Sequence, residues 1–132
     1  MTAGDKKATK KAAARSVSSA NKADGETAVI AKIAAMPVAF RAMGERLHGL
    51  ILRCAPALQP TLWYGMPGYA KDGKVICFFR ADKYMTFGLT AKANLAIEAG
   101  APHQLRESAW FFDTMDVASE TKLSAIVRNA AD

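Results

Sequence analysis

The sequence predicts an α+β domain in which helices pack on one face of an antiparallel sheet, and three observations predict it. Residues 62–69, 74–80 and 83–89 form successive apolar, aromatic-rich runs broken by Gly, Pro, Asp or Lys. β-Branched and aromatic residues suit a half-buried pleated surface, and the breakers mark turns. Asp72-Gly73 falls between two of these runs, and both residues tolerate the positive φ of a two-residue type I′ hairpin. Strands adjacent in sequence, with helical patterns before and after them, favour antiparallel pairing under a layer of helices. Residues 61–90 therefore read as a meander, and the expected order is α-α-β-β-β-α-β-α.

Taken in order, residues 1–24 carry six basic groups against two acids, no aromatic residue, and Val17 as the one large aliphatic after the start. Such a segment cannot bury enough apolar surface to offset its ordering entropy and is expected to be a disordered basic tail. Residues 25–132 are expected to form one folded domain. Residues 26–36 read as a short helix, with Ile30, Ile33 and Ala34 on one face and Asp24 as its N-cap. Pro37 interrupts it and opens a second helix. There Phe40, Met43, Leu47, Leu50, Ile51 and Cys54 make one apolar stripe. Gly44 lies in that stripe, where it permits close approach to the sheet. Pro56 ends the helix and Pro60 keeps the linker extended. Beyond the meander, residues 91–100 read as a short helix stopped by Gly100. Trp110-Phe111-Phe112 reads as a last strand. Leu123, Ile126 and Val127 place a final helix over 119–129, capped by Asp116 or Ser119.

The net charge of +6 divides unevenly, with +4 on residues 1–24 and +2 on the rest. The tail thus offers a nonspecific nucleic-acid contact through charge alone, weighed equally against a solubilising leader. No stretch approaches the length of apolar residues that spans a membrane, and the tail lacks the apolar core of a secretory signal. Cys54 and Cys77 are too few for a disulfide framework, so a reducing cytoplasm is the expected location. His48 and His103 stand far apart without Cys-x-x-Cys or an acidic cluster, so no metal site and no cofactor are expected. His48 lies on the flank of the apolar stripe and reads as solvated or half-buried. Cys77, in phase with Val75 and Phe79, reads as an inert packing group. No nucleophile elbow, phosphate loop or dinucleotide fingerprint is present, and the chain reads as non-enzymatic.

The aromatic residues carry more information. Alternate side chains of a strand point to opposite faces, so Trp63 and Tyr64, or Phe78 and Phe79, cannot share one. With helices on one face only, several aromatics and Lys74, Arg80 or Lys83 fall on the open face. The reading is a groove beside a Gly65-Met66-Pro67-Gly68 turn, with Trp63, Tyr64, Met66, Tyr69 and Tyr84 as ligand-binding residues and Lys83 as the charge partner. Ordinary packing of the same aromatics is the competing reading.

The run Leu50-Ile-Leu-Arg-Cys-Ala-Pro56, with Trp63-Tyr-Gly-Met-Pro-Gly-Tyr69, Gly73-Lys-Val75 and Phe78-Phe79-Arg-Ala-Asp-Lys83, resembles the YdhG-like family of small bacterial α+β domains. The resemblance spans about residues 28–130 and leaves the tail outside. Most members of that family have no assigned function, and the reading taken here is a non-enzymatic domain that binds a small ligand or a protein partner through the open side of its sheet. Some members are described as frataxin-like iron chaperones for iron–sulfur or haem assembly, so iron delivery is the alternative the resemblance implies. Frataxin-type proteins hold iron on exposed carboxylates of a helix and adjoining strand. Here the first helix offers only Glu26 and the second only Glu45, and no iron ligand is carried over.

Overall fold

The computed structural model describes residues 19–132; the first 18 residues of the expected tail lie outside the described residues. Eight elements follow: α1 (Ser19–Ala34), α2 (Val38–Cys54), β1 (Gln59–Trp63), β2 (Met66–Lys71), β3 (Lys74–Ala81), β4 (Met85–Leu89), β5 (Ala109–Phe112) and α3 (Val117–Ala130). The strands form one antiparallel sheet in the order β1-β2-β3-β4-β5. The α+β architecture is the one the sequence predicts. The element order is not, because β1 and β2 are separate strands and no helix stands between β4 and β5.

α1 begins at Ser19, so Asp24 lies within it rather than capping it. The helix runs straight through Gly25, at which the sequence reading starts the domain. A Cβ there would stand 2.0 Å from the Pro60 carbonyl oxygen, so α1 crosses β1 at a separation that only glycine allows. Pro37 separates α1 from α2 as expected, and Arg41 Nε donates to the Met36 carbonyl at 2.8 Å across that corner. Leu47, Leu50 and Ile51 are buried, while Phe40, Met43 and Cys54 pack against them half-buried. Gly44 serves a different neighbour from the one expected. Its Cβ position lies 3.1 Å from Ile33 Cγ2 and Met36 Sδ, so it lets α2 approach α1 and not the sheet.

Residues 91–100 have good helix formers but too few of them to hold a helix without tertiary help. Their partners draw them out instead. Asn94 N–H donates to the Ala130 carbonyl at 3.0 Å and Asn94 Nδ2 to the Asn129 carbonyl at 3.1 Å, at the end of α3. Ile97 pairs as an isolated bridge with Arg106, and Arg106 Nη1 donates to the Leu95 carbonyl. α3 is capped as predicted, with the Asp116 carboxylate accepting from Ser119 N–H at 2.8 Å.

One core joins Val29 and Ile33 of α1, Leu47 and Ile51 of α2 and Leu123 and Val127 of α3 to Tyr69, Cys77, Phe79, Met85 and Phe87 of the sheet. All three helices thus lie on one face. The β2–β3 ladder slips between Tyr69 and Ala70, so that Tyr69 pairs with Cys77 but Ala70 with Val75. This bulge takes Val75 out of phase with Cys77, contrary to the simple alternation, and turns Ile76 and Cys77 both inward. No helix among the described residues is long and apolar enough to cross a membrane.

Candidate functional site

β1 and β2 are joined by Tyr64-Gly65, with φ of +51° and +77°. These are the positive values of a type I′ hairpin, whose first position ordinarily takes Asn, Asp or Gly. Tyr64 holds that position 85 % exposed. The expected Gly65–Gly68 turn is therefore one hairpin corner followed by strand, since Met66, Pro67 and Gly68 belong to β2. In this hairpin Trp63 faces Met66 and Leu62 faces Pro67. Alternation makes the second a non-hydrogen-bonded pair, which aims the missing N–H of Pro67 away from β1 and toward β3. The β2–β3 ladder stops there. Gly68↔Phe78 is its last pair, while β3 continues to Ala81 paired with β4 alone.

Where the two strands part, a cleft of about 210 Å³ opens. Gly65, Met66 and Pro67 line one side, Arg80 and Ala81 another, and Lys32, Ala35, Met36 and Pro37 of the α1–α2 corner the third. Among the described residues, Lys32 and Arg80 are its only charged lining residues, both exposed. Among the described residues neither makes an ion pair.

Beside the cleft, on the face that no described helix covers, lies an aromatic group outside the core. The Trp63 and Phe78 rings are 4.9 Å apart at 42°, and Tyr64 stands edge-on to Trp63 at 4.7 Å and 73°. Phe78 lies over Gly88, where a Cβ would come within 2.4 Å of its ring. Gly68 similarly leaves room under Trp63, its Cβ position being 3.0 Å from Trp63 Cβ. Glycines under aromatic rings are what allow the rings to lie along the sheet instead of standing away from it. Arg80 follows Phe78 by two positions in β3, and Met66 pairs with Trp63. Both therefore sit on the aromatic face and also line the cleft.

Of the six residues the sequence places in a ligand groove, Trp63, Tyr64 and Met66 come together here. Tyr69 does not. It falls on the opposite face from Gly68 and is fully buried in the core. Lys83 and Tyr84 sit in the β3–β4 turn, with Lys83 Nζ 5.7 Å from the Tyr84 ring centroid and neither residue lining the cleft. Arg80 takes the place expected for Lys83, and strand alternation from Phe78 is the signal that singles it out. Lys32 has no such signal, because its position depends on how α1 packs.

The titratable groups of the core are largely buried, with Glu26 at the half-exposed end of their network. His48 is buried, not solvated, with Nδ1 2.7 Å from Tyr69 Oη and Nε2 2.9 Å from Glu26 Oε2. The network assigns Nε2–H to donate to the carboxylate and the phenol to donate to Nδ1. Burial raises the Tyr69 phenol far above its ordinary value, with the nearby Cys77 and Glu26 charges adding to the shift. Burial likewise pushes the Cys77 thiol up to about 12. Among the described residues no group of three or more His, Cys, Asp or Glu side chains gathers as a metal site. His103 accepts from Leu105 N–H at 3.2 Å in an exposed turn. No family model matches the chain, and neither a curated protein nor a solved structure is detectably similar to it.

Proposed function

We propose that this chain is a non-enzymatic binding module that takes a small planar ligand on the uncovered face of its sheet. The observation that carries the reading is the contiguous group of Trp63, Tyr64 and Phe78, which lies outside the core and rests on glycine positions. Aromatic faces of this kind give rigid apolar area at low entropic cost, and stacking on them tolerates many planar partners. Tyr64 adds to the case. An exposed tyrosine held at φ +51° is a strained choice at a corner that ordinarily takes Asn, Asp or Gly. The Tyr64–Pro67 segment, which carries the YdhG-like resemblance, supplies both this aromatic corner and one wall of the cleft. A binding role is favoured over catalysis because the one acid–base chain among the described residues, Glu26–His48–Tyr69, ends in a fully buried phenol. A substrate does not reach that phenol, and the exposed end of the chain offers only the Glu26 carboxylate.

The test is a titration with neutral 1-naphthalenemethanol followed by amide NMR. Shifts confined to Trp63, Tyr64 and Phe78, lost in Trp63→Ala, support the reading. Shifts confined to the apolar groove between β5 and α3, lined by Trp110, Phe112 and Leu123, refute it.

A further inference from the structure

We infer that the ligand is a planar aromatic carrying one anionic group, with the ring on Trp63 and Phe78 and the anion between Arg80 and Lys32. This rests on the aromatic-face reading above and adds the chemical class. Two cations line one cleft, no acid is in its lining among the described residues, and neither cation has an ion-pair partner among them. Asp82, two residues from Arg80, is outside the lining. Like charges converging on a concavity raise its positive potential, and a bound anion relieves it. A guanidinium offers the planar fork that meets a carboxylate or phosphate with two parallel hydrogen bonds, and an ammonium supplies a second point of charge.

Size decides how such a ligand is shared. At about 210 Å³, the cleft is below the roughly 300–1,000 Å³ of sites that enclose a whole drug-sized ligand. It takes a head group and leaves the rest outside. The surface next to it is the aromatic one, and Arg80 and Met66 belong to both. An anion at Arg80 therefore places an attached ring over Phe78, two residues along the same strand face.

The experiment compares 1-naphthoate, 1-naphthyl phosphate, neutral 1-naphthalenemethanol and inorganic phosphate at low salt, on the full chain and on Arg80→Gln and Lys32→Gln. Both substitutions are at exposed positions, so thermal melts should match the parent. The expected result is that one or both naphthyl anions bind about ten- to a hundredfold tighter than the alcohol, as charge-assisted hydrogen bonds allow. Arg80→Gln should remove most of that advantage, so that the variant binds the anions about as tightly as it binds the alcohol. The better of carboxylate and phosphate names the head group. Equal affinity for alcohol and anions, with shifts at Trp63 and Phe78, overturns the anion inference while the aromatic face stands. Inorganic phosphate matching the naphthyl anions overturns it too, since the ring then adds nothing. No shift at Trp63, Tyr64, Phe78 or Arg80 with any probe overturns both.

Discussion

Tyr69→Phe removes one oxygen atom from the centre of the fold and should be costly for a reason specific to its neighbours. The ring is fully buried and stacked on Phe79 at 6.1 Å and 19°, so phenylalanine keeps the packing. What is lost is the donor to His48 Nδ1, 2.7 Å away. That nitrogen then remains buried without a partner, because Nε2 is committed to Glu26. A buried polar group left unsatisfied costs about 1–3 kcal/mol, a fall in melting temperature of roughly 5–15 °C for a domain of this size. His48→Leu should cost a similar amount, since it strands the Tyr69 hydroxyl instead. The double variant strands neither. It should be more stable than the sum of the two losses by about 1–2 kcal/mol. Urea denaturation of the four proteins measures the cycle. Additivity within about 0.4 kcal/mol, or a neutral Tyr69→Phe, would refute the assignment of donor and acceptor along this chain.

Leu47→Ala, at a fully buried centre of the α2 stripe, should cost about 2–5 kcal/mol in urea denaturation. Arg46→Ala, which breaks only a largely exposed ion pair with Glu120, should cost under about 1 kcal/mol. Gly25→Ala should destabilise by about 1–3 kcal/mol although alanine is the better helix former, since its Cβ meets the Pro60 carbonyl; a stabilised variant would show that α1 does not cross β1 so closely. Alkaline pH should weaken the fold through Cys77, whose thiol rises from 9.0 to about 12 on burial. The unfolded chain ionises first, so this contribution is complete below about pH 9 and is lost as the pH rises toward 12. Cys77→Val should flatten the decline over that window, and parallel profiles for the two proteins would contradict it.

Periodicity made the helices and strands legible because each buries one face against a single core. Leu47, Leu50 and Ile51 repeat at helical spacing, and Phe79 and Phe87 face inward where Phe78 and Gly88 face outward. Asp72-Gly73 turned where its chemistry says it should, with φ of +51° and +78°. Tyr64-Gly65 adopts the same geometry, but tyrosine does not announce a type I′ turn, so two strands read as one. The 91–100 segment misled in the opposite direction. Its local preference is helical, and the competing bonds to Asn129 and Ala130 come from residues about 35 positions away. Tyr69 reads as a neighbour of Trp63 when 62–69 is one strand, but the hairpin pairs Trp63 with Met66, and Tyr69, three positions further along, faces the core. The pairing of Glu26 and His48 with Tyr69, like the approach of Lys32 to Arg80, depends on helix placement that no local pattern encodes.

Pro67 links these features. A proline in an internal strand ordinarily removes a ladder hydrogen bond and is excluded. Here it is buried and tolerated, because the hairpin at Tyr64-Gly65 sets its missing N–H toward β3 at the point where pairing ends. Moving that hairpin by one residue would turn proline toward β1 and reverse every side chain of β2. Trp63 and Tyr69 would exchange faces, and the sheet would lose both its aromatic surface and the phenol that satisfies His48. The strained corner at Tyr64 therefore has a structural consequence. It sets the register that keeps Tyr69 inside, Trp63 outside, and the cleft beside Arg80 open.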